Sequence, residues 1–401
     1  MIDSVLTKRL IVENRELKNR IVLQPMEGFD CNEDGSPSEL TERKYLNYAK
    51  SSAAIIWFEA SAVCDEGRTN PRQMHITAAN LQKFKALLIK MKEAALKENG
   101  FAPLTVLQLT HSGRQSIVPM VAYRNEIYEA TRPITDANIV TDTYLDSLPE
   151  KYVETAVLAR EAGFDGVDMK CCHGYLMQEL LSGYNRKGRY GGSFENRIKC
   201  YMNCFNAVKS AVPDMLVTAR VGLSDMVRKP FGFGTDENGN IDLTEPRMLI
   251  KKLIDSGLKL LNVTLGNPYY NPHVNRPFRV GAYKPPEKPE IGLERFFFAE
   301  KEIKKAFPNL IVIASGLSYY RNDLFKKSEE SINNGLCDLV GFGRGALAYP
   351  SFYKDYLNGN FQAKRCCVAC SRCTELMRSK YVSGCATFDD YYKNLYEEKF
   401  K

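Results

Sequence analysis

The chain has 401 residues, of which 44% are hydrophobic and 26% are charged, a balance typical of globular proteins and not of disordered ones. The formal net charge is +7, and basic residues are interspersed with acidic ones, so no nucleic-acid partner is expected. An apolar run of roughly eighteen residues and an N-terminal apolar leader are both absent, which predicts no membrane segment and a cytoplasmic location.

Short apolar runs alternate with longer amphipathic segments along most of the chain. The predicted strands are Arg20–Pro25, Ala54–Glu59, Leu104–Leu109, Gly166–Met169, Leu216–Val221, Leu260–Val263, Leu310–Ala314 and Leu339–Gly341. The helices predicted to follow them are Ser38–Ser52, Leu81–Glu98, Glu150–Ala162, Ser193–Ala211, Leu243–Ser256, Leu293–Ala306, Asn322–Asn333 and Ser351–Leu357. Strand–helix units repeated in this order predict an α/β fold, a (β/α)8 TIM barrel. We assign the barrel to residues 1–358 and a short cysteine-rich extension to residues 359–401.

Accessory segments are predicted at both ends of this barrel. Met1–Asn19 reads as a small hairpin that closes the barrel bottom. Three long connections, Thr110–Ser147, Gly222–Asp242 and Leu265–Gly292, follow strand carboxyl ends, where barrels build their active sites. Their aromatic and proline content suits lids around a bulky apolar substrate, and surface elaboration without a role is the alternative.

The segment after the fourth strand carries the most informative chemistry. Lys170, His173 and Tyr175 place one cation, one imidazole and one phenol just beyond an apolar run. Together these groups can polarise a carbonyl and deliver a proton. The alternative for Lys170 is an ion pair within a loop.

Several motifs occur together at the strand ends, in chain order. They are Glu59-Ala-Ser-Ala-Val, His111-Ser-Gly-Arg, His173-Gly-Tyr-Leu, Tyr190-Gly-Gly-Ser-Phe-Glu-Asn-Arg and Gly341-Phe-Gly-Arg. From Arg20 to about Pro350 the chain resembles the old yellow enzyme family of flavin-dependent ene-reductases. The resemblance implies a barrel that binds flavin mononucleotide (FMN) and reduces an activated alkene.

The resemblance also implies a set of flavin-binding residues, and their chemistry agrees with it. Gly316, Gly343 and Arg344 follow strands seven and eight, where barrels bind phosphate, and Arg344 can pair with the phosphate. Arg220 would stabilise the negative charge of the reduced flavin, and Gln108 offers an amide to its pyrimidine edge. The flavin-binding residues implied in full are Pro25, Met26, Ala60, Gln108, Arg220, Gly316, Gly343 and Arg344.

For the substrate, the resemblance implies that two donors hold a carbonyl oxygen while a tyrosine protonates carbon. Lys170 and His173 occupy the donor positions, and Tyr175 occupies the proton-donor position. Many relatives have a histidine where this chain has Lys170. His273 lies in a loop that resembles the one carrying a catalytic histidine in 2,4-dienoyl-CoA reductase, with a structural role as the alternative. Glu27 also departs from the family, and we expect it to turn away from the flavin or to bind elsewhere.

Four cysteines, Cys367, Cys370, Cys373 and Cys385, form a thiolate pattern beyond the barrel. The segment resembles the iron–sulfur segments of trimethylamine dehydrogenase and 2,4-dienoyl-CoA reductase, which implies a [4Fe–4S] cluster. Structural zinc or a relic without metal are the alternatives. The larger relatives continue with further cofactor domains, so we expect electrons from a reduced flavoprotein or ferredoxin, or directly from NAD(P)H.

These features predict an FMN-dependent ene-reductase that acts on a small α,β-unsaturated carbonyl compound. An amine dehydrogenase or demethylase on the same barrel is the first alternative. The second is a flavoprotein that carries electrons and has no catalytic activity. The sequence leaves the substrate, which could be a steroid, enone, enoate or dienoyl thioester, and the oligomeric state open.

Overall fold

The barrel predicted from the sequence is present in the computed structural model, which describes residues 3–281 and 283–400. The strands are β1 Leu10–Val12, β2 Arg15–Leu17, β3 Ile21–Leu23, β4 Ile55–Ala62, β5 Leu104–Thr110, β6 Gly166–Cys171, β7 Leu216–Gly222, β8 Leu260–Thr264, β9 Ile311–Ala314 and β10 Leu339–Phe342. Strands β3 to β10 pair in parallel, and β10 closes the barrel against β3. Their continuous apolar runs are buried on both faces, as a sheet wrapped by helices requires.

Helices follow the barrel strands on the outside. They are α1 Glu39–Ala49, α2 Leu81–Asn99, α3 Glu126–Glu129, α4 Asp142–Ala162, α5 Leu176–Leu181, α6 Phe194–Ala211, α7 Thr244–Asp255, α8 Pro272–Asn275, α9 Pro289–Ala306, α10 Leu324–Asn333, α11 Arg344–Ala348, α12 Phe352–Leu357, α13 Arg372–Arg378 and α14 Asp390–Phe400. Among the helices within residues 3–281 and 283–400, none is both long and apolar enough to span a membrane.

Helix α4 differs most from its prediction, because it begins at Asp142 and not at Glu150. The side chain of Thr141 caps the helix by accepting a hydrogen bond from the Tyr144 amide at 3.1 Å. Pro149 then lies inside the helix, although proline normally favours a break. The helix ends as predicted, with Gly163 in the left-handed conformation at φ 99°.

The predicted N-terminal hairpin is confirmed. Strands β1 and β2 pair antiparallel, with Leu10 opposite Leu17. Val12 and Leu17 are buried in one apolar cluster with Trp57 and Leu216, close to the starts of their barrel strands. The hairpin therefore covers the amino-terminal end of the barrel and leaves its carboxyl-terminal end for the functional site.

The C-terminal extension packs on the barrel at that opposite end. Leu376 and Tyr392 belong to a small apolar cluster that also contacts Leu40 of α1. The Ser383 amide donates to the Gly28 carbonyl at 2.7 Å, which fixes the extension beside the loop that follows β3. This position brings the extension next to the strand ends.

Candidate active site

A cavity of about 210 Å³ opens at the carboxyl ends of the barrel strands. All but two of the residues predicted to bind the flavin or the substrate line it. They are Pro25, Met26, Gln108, Lys170, His173, Tyr175, Arg220, Gly316, Gly343 and Arg344. The strand register explains part of this convergence, because Lys170 on β6 lies opposite Arg220 on β7.

The two exceptions are Ala60 and His273, which are not among the described residues that line the cavity. Ala60 is buried in β4, and its carbonyl accepts a hydrogen bond from the Gln73 amide at 3.2 Å. His273 Nδ1 lies 2.8 Å from the Tyr283 hydroxyl, and the His273 ring packs edge-on against the Tyr283 ring. The structure therefore does not bring His273 together with Lys170 and Tyr175.

A tight turn between β6 and α5 positions the central residues. His173 and Gly174 both have positive φ, at 67° and 68°, and the Gly174 amide donates to Gln178 at 2.7 Å. A non-glycine residue in this conformation is uncommon, and such strain concentrates at functional sites. Tyr175 follows directly and is the N-cap residue that precedes α5.

Burial keeps the His173 imidazole neutral. It lowers the pKa of His173 well below its usual value, and the positive charges of Arg220, Lys170 and Arg276 lower it further. His173 Nε2 is buried and lacks a hydrogen-bond partner within the described part of the chain. A neutral imidazole with a free nitrogen in a cavity can bind a polar atom of a ligand.

The Tyr175 hydroxyl lies at the centre of a group of polar side chains. It is 3.3 and 3.4 Å from the two carboxylate oxygens of Glu27 and 3.2 Å from the Tyr269 hydroxyl. Lys170 Nζ lies 3.8 Å from the centre of the Tyr175 ring. Burial, followed by the negative charge of Glu27, raises the pKa of Tyr175 well above its usual value. Tyr175 therefore carries its proton at neutral pH.

Glu27 lines the cavity, where Lys170 Nζ lies 3.9 Å from its carboxylate, in addition to the contact with Tyr175. The Gln73 amide also donates a hydrogen bond to Glu27 at 3.4 Å. The direction of Glu27 relative to the flavin stays a prediction. Burial lowers the pKa of Lys170, and the charge of Glu27 opposes that shift. The backbone at Gly28 is fixed by a 3.0 Å hydrogen bond to Glu59.

The cavity fits a flavin mononucleotide. Arg220 Nε and Arg344 Nη1 are buried without hydrogen-bond partners in the described residues, as expected of cations that await an anionic ligand. A Cβ atom at Gly343 would lie 2.7 Å from the Met26 sulfur, so a larger residue there would displace the Met26 side chain at this edge of the cavity. The Gln108 amide nitrogen donates to Asp168 at 2.7 Å, which turns its carbonyl oxygen toward other partners.

Sequence reasoning did not find several residues that line the cavity. Arg276 comes from the long loop after β8, and Thr374, Met377 and Arg378 come from α13 of the extension. The nearness of Arg378 to the cysteine motif was the one available signal. It could not show that α13 folds over the barrel.

The four predicted cysteine ligands line one small cavity of the extension, together with Arg344. The Ala369 amide donates to Cys367 Sγ at 3.4 Å, and Ala369 and Ser371 have φ of 52° and 62°, which bends the loop around the cavity. Within the described residues, no group of three or more histidine, cysteine or acidic side chains is arranged to hold a metal ion. The [4Fe–4S] cluster remains a prediction.

This chain is similar in sequence or fold to several known proteins. The NADH oxidase of Thermoanaerobacter brockii is 28% identical over 368 residues, which cover 90% of this chain and 52% of that protein. The NADPH dehydrogenase of Bacillus subtilis (strain 168) is 27% identical over 353 residues, covering 86% and 91%. A solved 2-naphthoyl-CoA reductase in complex with 2-naphthoyl-CoA has a TM-score of 0.78 at 17% identity, covering 98% of this chain and 58% of that one. This chain thus spans about half the length of the Thermoanaerobacter brockii relative.

A family model gives the assignment. The model described as the NADH:flavin oxidoreductase / NADH oxidase family matches residues 6–276, which is more than half of the chain. That region includes Lys170, His173, Tyr175 and Arg220 of the cavity. The chain belongs to the NADH:flavin oxidoreductase / NADH oxidase family, the old yellow enzyme family.

Proposed function

We propose that the protein is an FMN-dependent oxidoreductase that reduces the C=C bond of an α,β-unsaturated carbonyl compound. The observation that carries this proposal is the position of Tyr175, a protonated phenol in one cavity with the donors Lys170 and His173. A carbonyl oxygen held by those donors would leave the alkene carbon within reach of the phenol. FMN, when bound, supplies the hydride, and NAD(P)H is the proposed reductant.

Lys170 and His173 have the charge and burial that carbonyl activation needs. Negative charge develops on the carbonyl oxygen as the alkene is reduced, and donors in a buried site stabilise that charge strongly. The Lys170 side chain is 3% exposed, and the His173 ring is held by the positive-φ turn. Both are therefore pre-organised for the oxygen.

Tyr175 then gives its proton to carbon. The O–H bond of Tyr175 breaks, a C–H bond forms on the substrate, and the tyrosinate is left above the Lys170 ammonium. Glu27 contacts the same hydroxyl and is partly exposed in the cavity, so it can return a proton from solvent to Tyr175. Arg220 would hold the flavin, and Cys367, Cys370, Cys373 and Cys385 would hold a [4Fe–4S] cluster that exchanges electrons with it.

The proposal is tested with FMN-loaded protein under anaerobic conditions. The flavin is reduced with NADPH, and excess reductant is removed. The protein is then mixed with 2-cyclohexen-1-one, and we expect flavin absorbance to return with formation of cyclohexanone. An amine dehydrogenase would instead lose flavin absorbance on mixing with a tertiary amine and no reductant. A protein that only carries electrons would respond to neither compound, and either result would overturn the proposal.

A further inference from the structure

Positive charge dominates the lining of the active-site cavity. Its cationic side chains are Lys170, Arg220, Arg276, Arg344 and Arg378. Glu27 is the only acidic side chain among the described residues that line it, and Glu27 already faces Lys170 at 3.9 Å. The cavity therefore has a large excess of cations over built-in acids.

Arg276 has the strongest need for a further partner. Its guanidinium donates through Nη1 to Thr374, while Nε is buried and lacks a hydrogen-bond partner in the described part of the chain. Burial, together with the positive charges of Arg344 and Arg378, lowers the pKa of Arg276 to about 9. A buried guanidinium beside other positive charges is costly unless an anion binds to it, and this cost falls on Arg276, because Arg378 itself is exposed.

The flavin phosphate does not account for the whole cluster. Its predicted position is beside Gly316, Gly343 and Arg344, at the ends of β9 and β10. Arg378 lies elsewhere, because its Nη2 donates to the Pro268 carbonyl at 2.5 Å, next to Tyr269 in the chain.

Arg378 lies near the reacting end of the cavity, and Arg276 precedes Pro277, whose carbonyl accepts a hydrogen bond from Arg344 Nη2 at 3.2 Å. Burial raises the pKa of the Tyr269 phenol, and the charge of Arg378 opposes that rise. The Tyr269 hydroxyl contacts the Tyr175 hydroxyl at 3.2 Å. The charge of Arg276 is among those that lower the pKa of His173. Both arginines are thus electrostatically coupled to the residues proposed to handle the substrate.

We propose that Arg276 and Arg378 bind an anionic group, a carboxylate or a phosphate, on the substrate itself. The inference rests on the proposed function and deepens it: the unsaturated carbonyl compound is an acidic one. Lys170 and His173 hold its carbonyl oxygen, and the two arginines hold its anionic group. Arginine presents paired N–H donors that match both carboxylate and phosphate oxygens. The extension therefore contributes to substrate selection through Arg378.

The test measures binding to the FMN-loaded, oxidised protein without turnover. Sodium benzoate, the uncharged isostere benzamide and inorganic phosphate are titrated while the visible flavin spectrum is recorded. Benzoate is expected to perturb the spectrum at a concentration at least about tenfold lower than benzamide, because only the carboxylate can pair with the arginines. Competition of phosphate with benzoate would show that phosphate esters fit the same site. Absence of competition would limit the ligand to carboxylates.

Substitutions of the two arginines test whether they form the anion-binding site. Arg378→Gln and Arg276→Gln should each weaken benzoate binding at least about tenfold, while FMN affinity, measured by quenching of flavin fluorescence, stays within about twofold. Arg279→Gln is the matched control, since Arg279 lies on the same loop, is exposed and pairs with Glu290 at 3.0 Å. Unchanged benzoate binding in both variants would overturn the inference. So would a parallel loss of FMN, because the arginines would then serve the cofactor.

If the variants do not fold, the wild-type protein alone can still overturn the inference. Benzamide that binds as tightly as benzoate would overturn the inference. Failure here is distinguishable from failure of the proposed function, because no C=C bond is reduced in the titration. A protein that reduces cyclohexenone and ignores benzoate would keep the function and lose the anion site.

Discussion

The Tyr175 hydroxyl and the Glu27 carboxylate face each other inside the cavity, at 3.3 and 3.4 Å from the two carboxylate oxygens. Tyr175 comes from the turn after β6, and Glu27 comes from the loop after β3, so the barrel brings them together from distant positions in the chain. The pair connects the proposed proton donor with a group that can exchange protons with solvent.

Replacing Tyr175 with Phe should slow alkene reduction by about a hundredfold or more, because it removes the proton while retaining the ring. Rapid mixing of NADPH-reduced protein with cyclohexenone measures this step directly. FMN affinity should stay unchanged, since Phe preserves the contact with Lys170. A rate equal to that of the wild type would exclude Tyr175 as the donor.

Replacing Glu27 with Gln should slow steady-state turnover of cyclohexenone by about tenfold, because an amide cannot return a proton to Tyr175 between turnovers. Flavin reduction by NADPH, measured separately, should change less. Glu33→Gln is the control, since Glu33 is an exposed carboxylate in the same loop. If flavin reduction and substrate reduction slowed equally in the Glu27 variant, a general loss of active-site structure would explain the effect better than proton transfer.

The cysteine cavity predicts the metal content. Protein purified without oxygen should contain about four iron and four sulfide ions per chain. Cys385→Ser should lose most of both while it retains FMN, because Cys385 lines the cavity. Cys366→Ser is the control, since this neighbouring cysteine is buried but is not among the described residues that line that cavity. Equal iron loss in both variants, or zinc in place of iron, would contradict the cluster.

The buried, neutral His111 should make the free energy of unfolding decrease as the pH falls into the mildly acidic range. Burial lowers the pKa of His111 to about 4 from an ordinary value of 6.5, and its Nε2 lies 2.8 Å from the Tyr144 hydroxyl. As the pH falls below 6.5, the unfolded chain takes up a proton at this position and the folded chain does not. Stability is therefore lost as the pH falls, by about 3 kcal/mol near pH 4.

Urea unfolding at pH 7 and pH 4.5 tests this dependence. The free energy of unfolding of a His111→Gln variant should decline less between these pH values than that of the wild type, by about 2 to 3 kcal/mol. Equal declines in the two proteins would show that His111 is not responsible. Comparing the two proteins cancels the contribution of carboxyl groups that titrate in the same range.

The barrel and much of the site were predictable because both depend on local patterns. Apolar strands that alternate with amphipathic helices have few other arrangements, and residues at the carboxyl ends of parallel strands must meet at one end of a barrel. That rule predicts that Lys170, His173, Tyr175 and Arg220 meet at one end of the barrel, and the family resemblance implies their roles. Pro149 shows its limit, since a good cap at Thr141 allows a helix to continue through a proline.

The remaining parts of the site depend on tertiary contacts that the sequence does not encode locally. The direction of Glu27 depends on Gln73 and Lys170, which are distant in the chain. Arg378 reaches the cavity because the extension docks beside Gly28, and no periodic pattern reports that docking. His273 shows the converse: a loop that looked catalytic places its imidazole against Tyr283.

The positive φ at His173 restricts how this enzyme can diverge. At 67°, the backbone there strongly disfavours β-branched and bulky residues, while Gly, Asn, Asp and His adopt it more readily. Among these, only His and Asn offer an uncharged side-chain donor at neutral pH. At the position proposed to hold the carbonyl oxygen, the backbone conformation therefore limits substitutions that keep a neutral donor to these two residue types, before selection on activity begins.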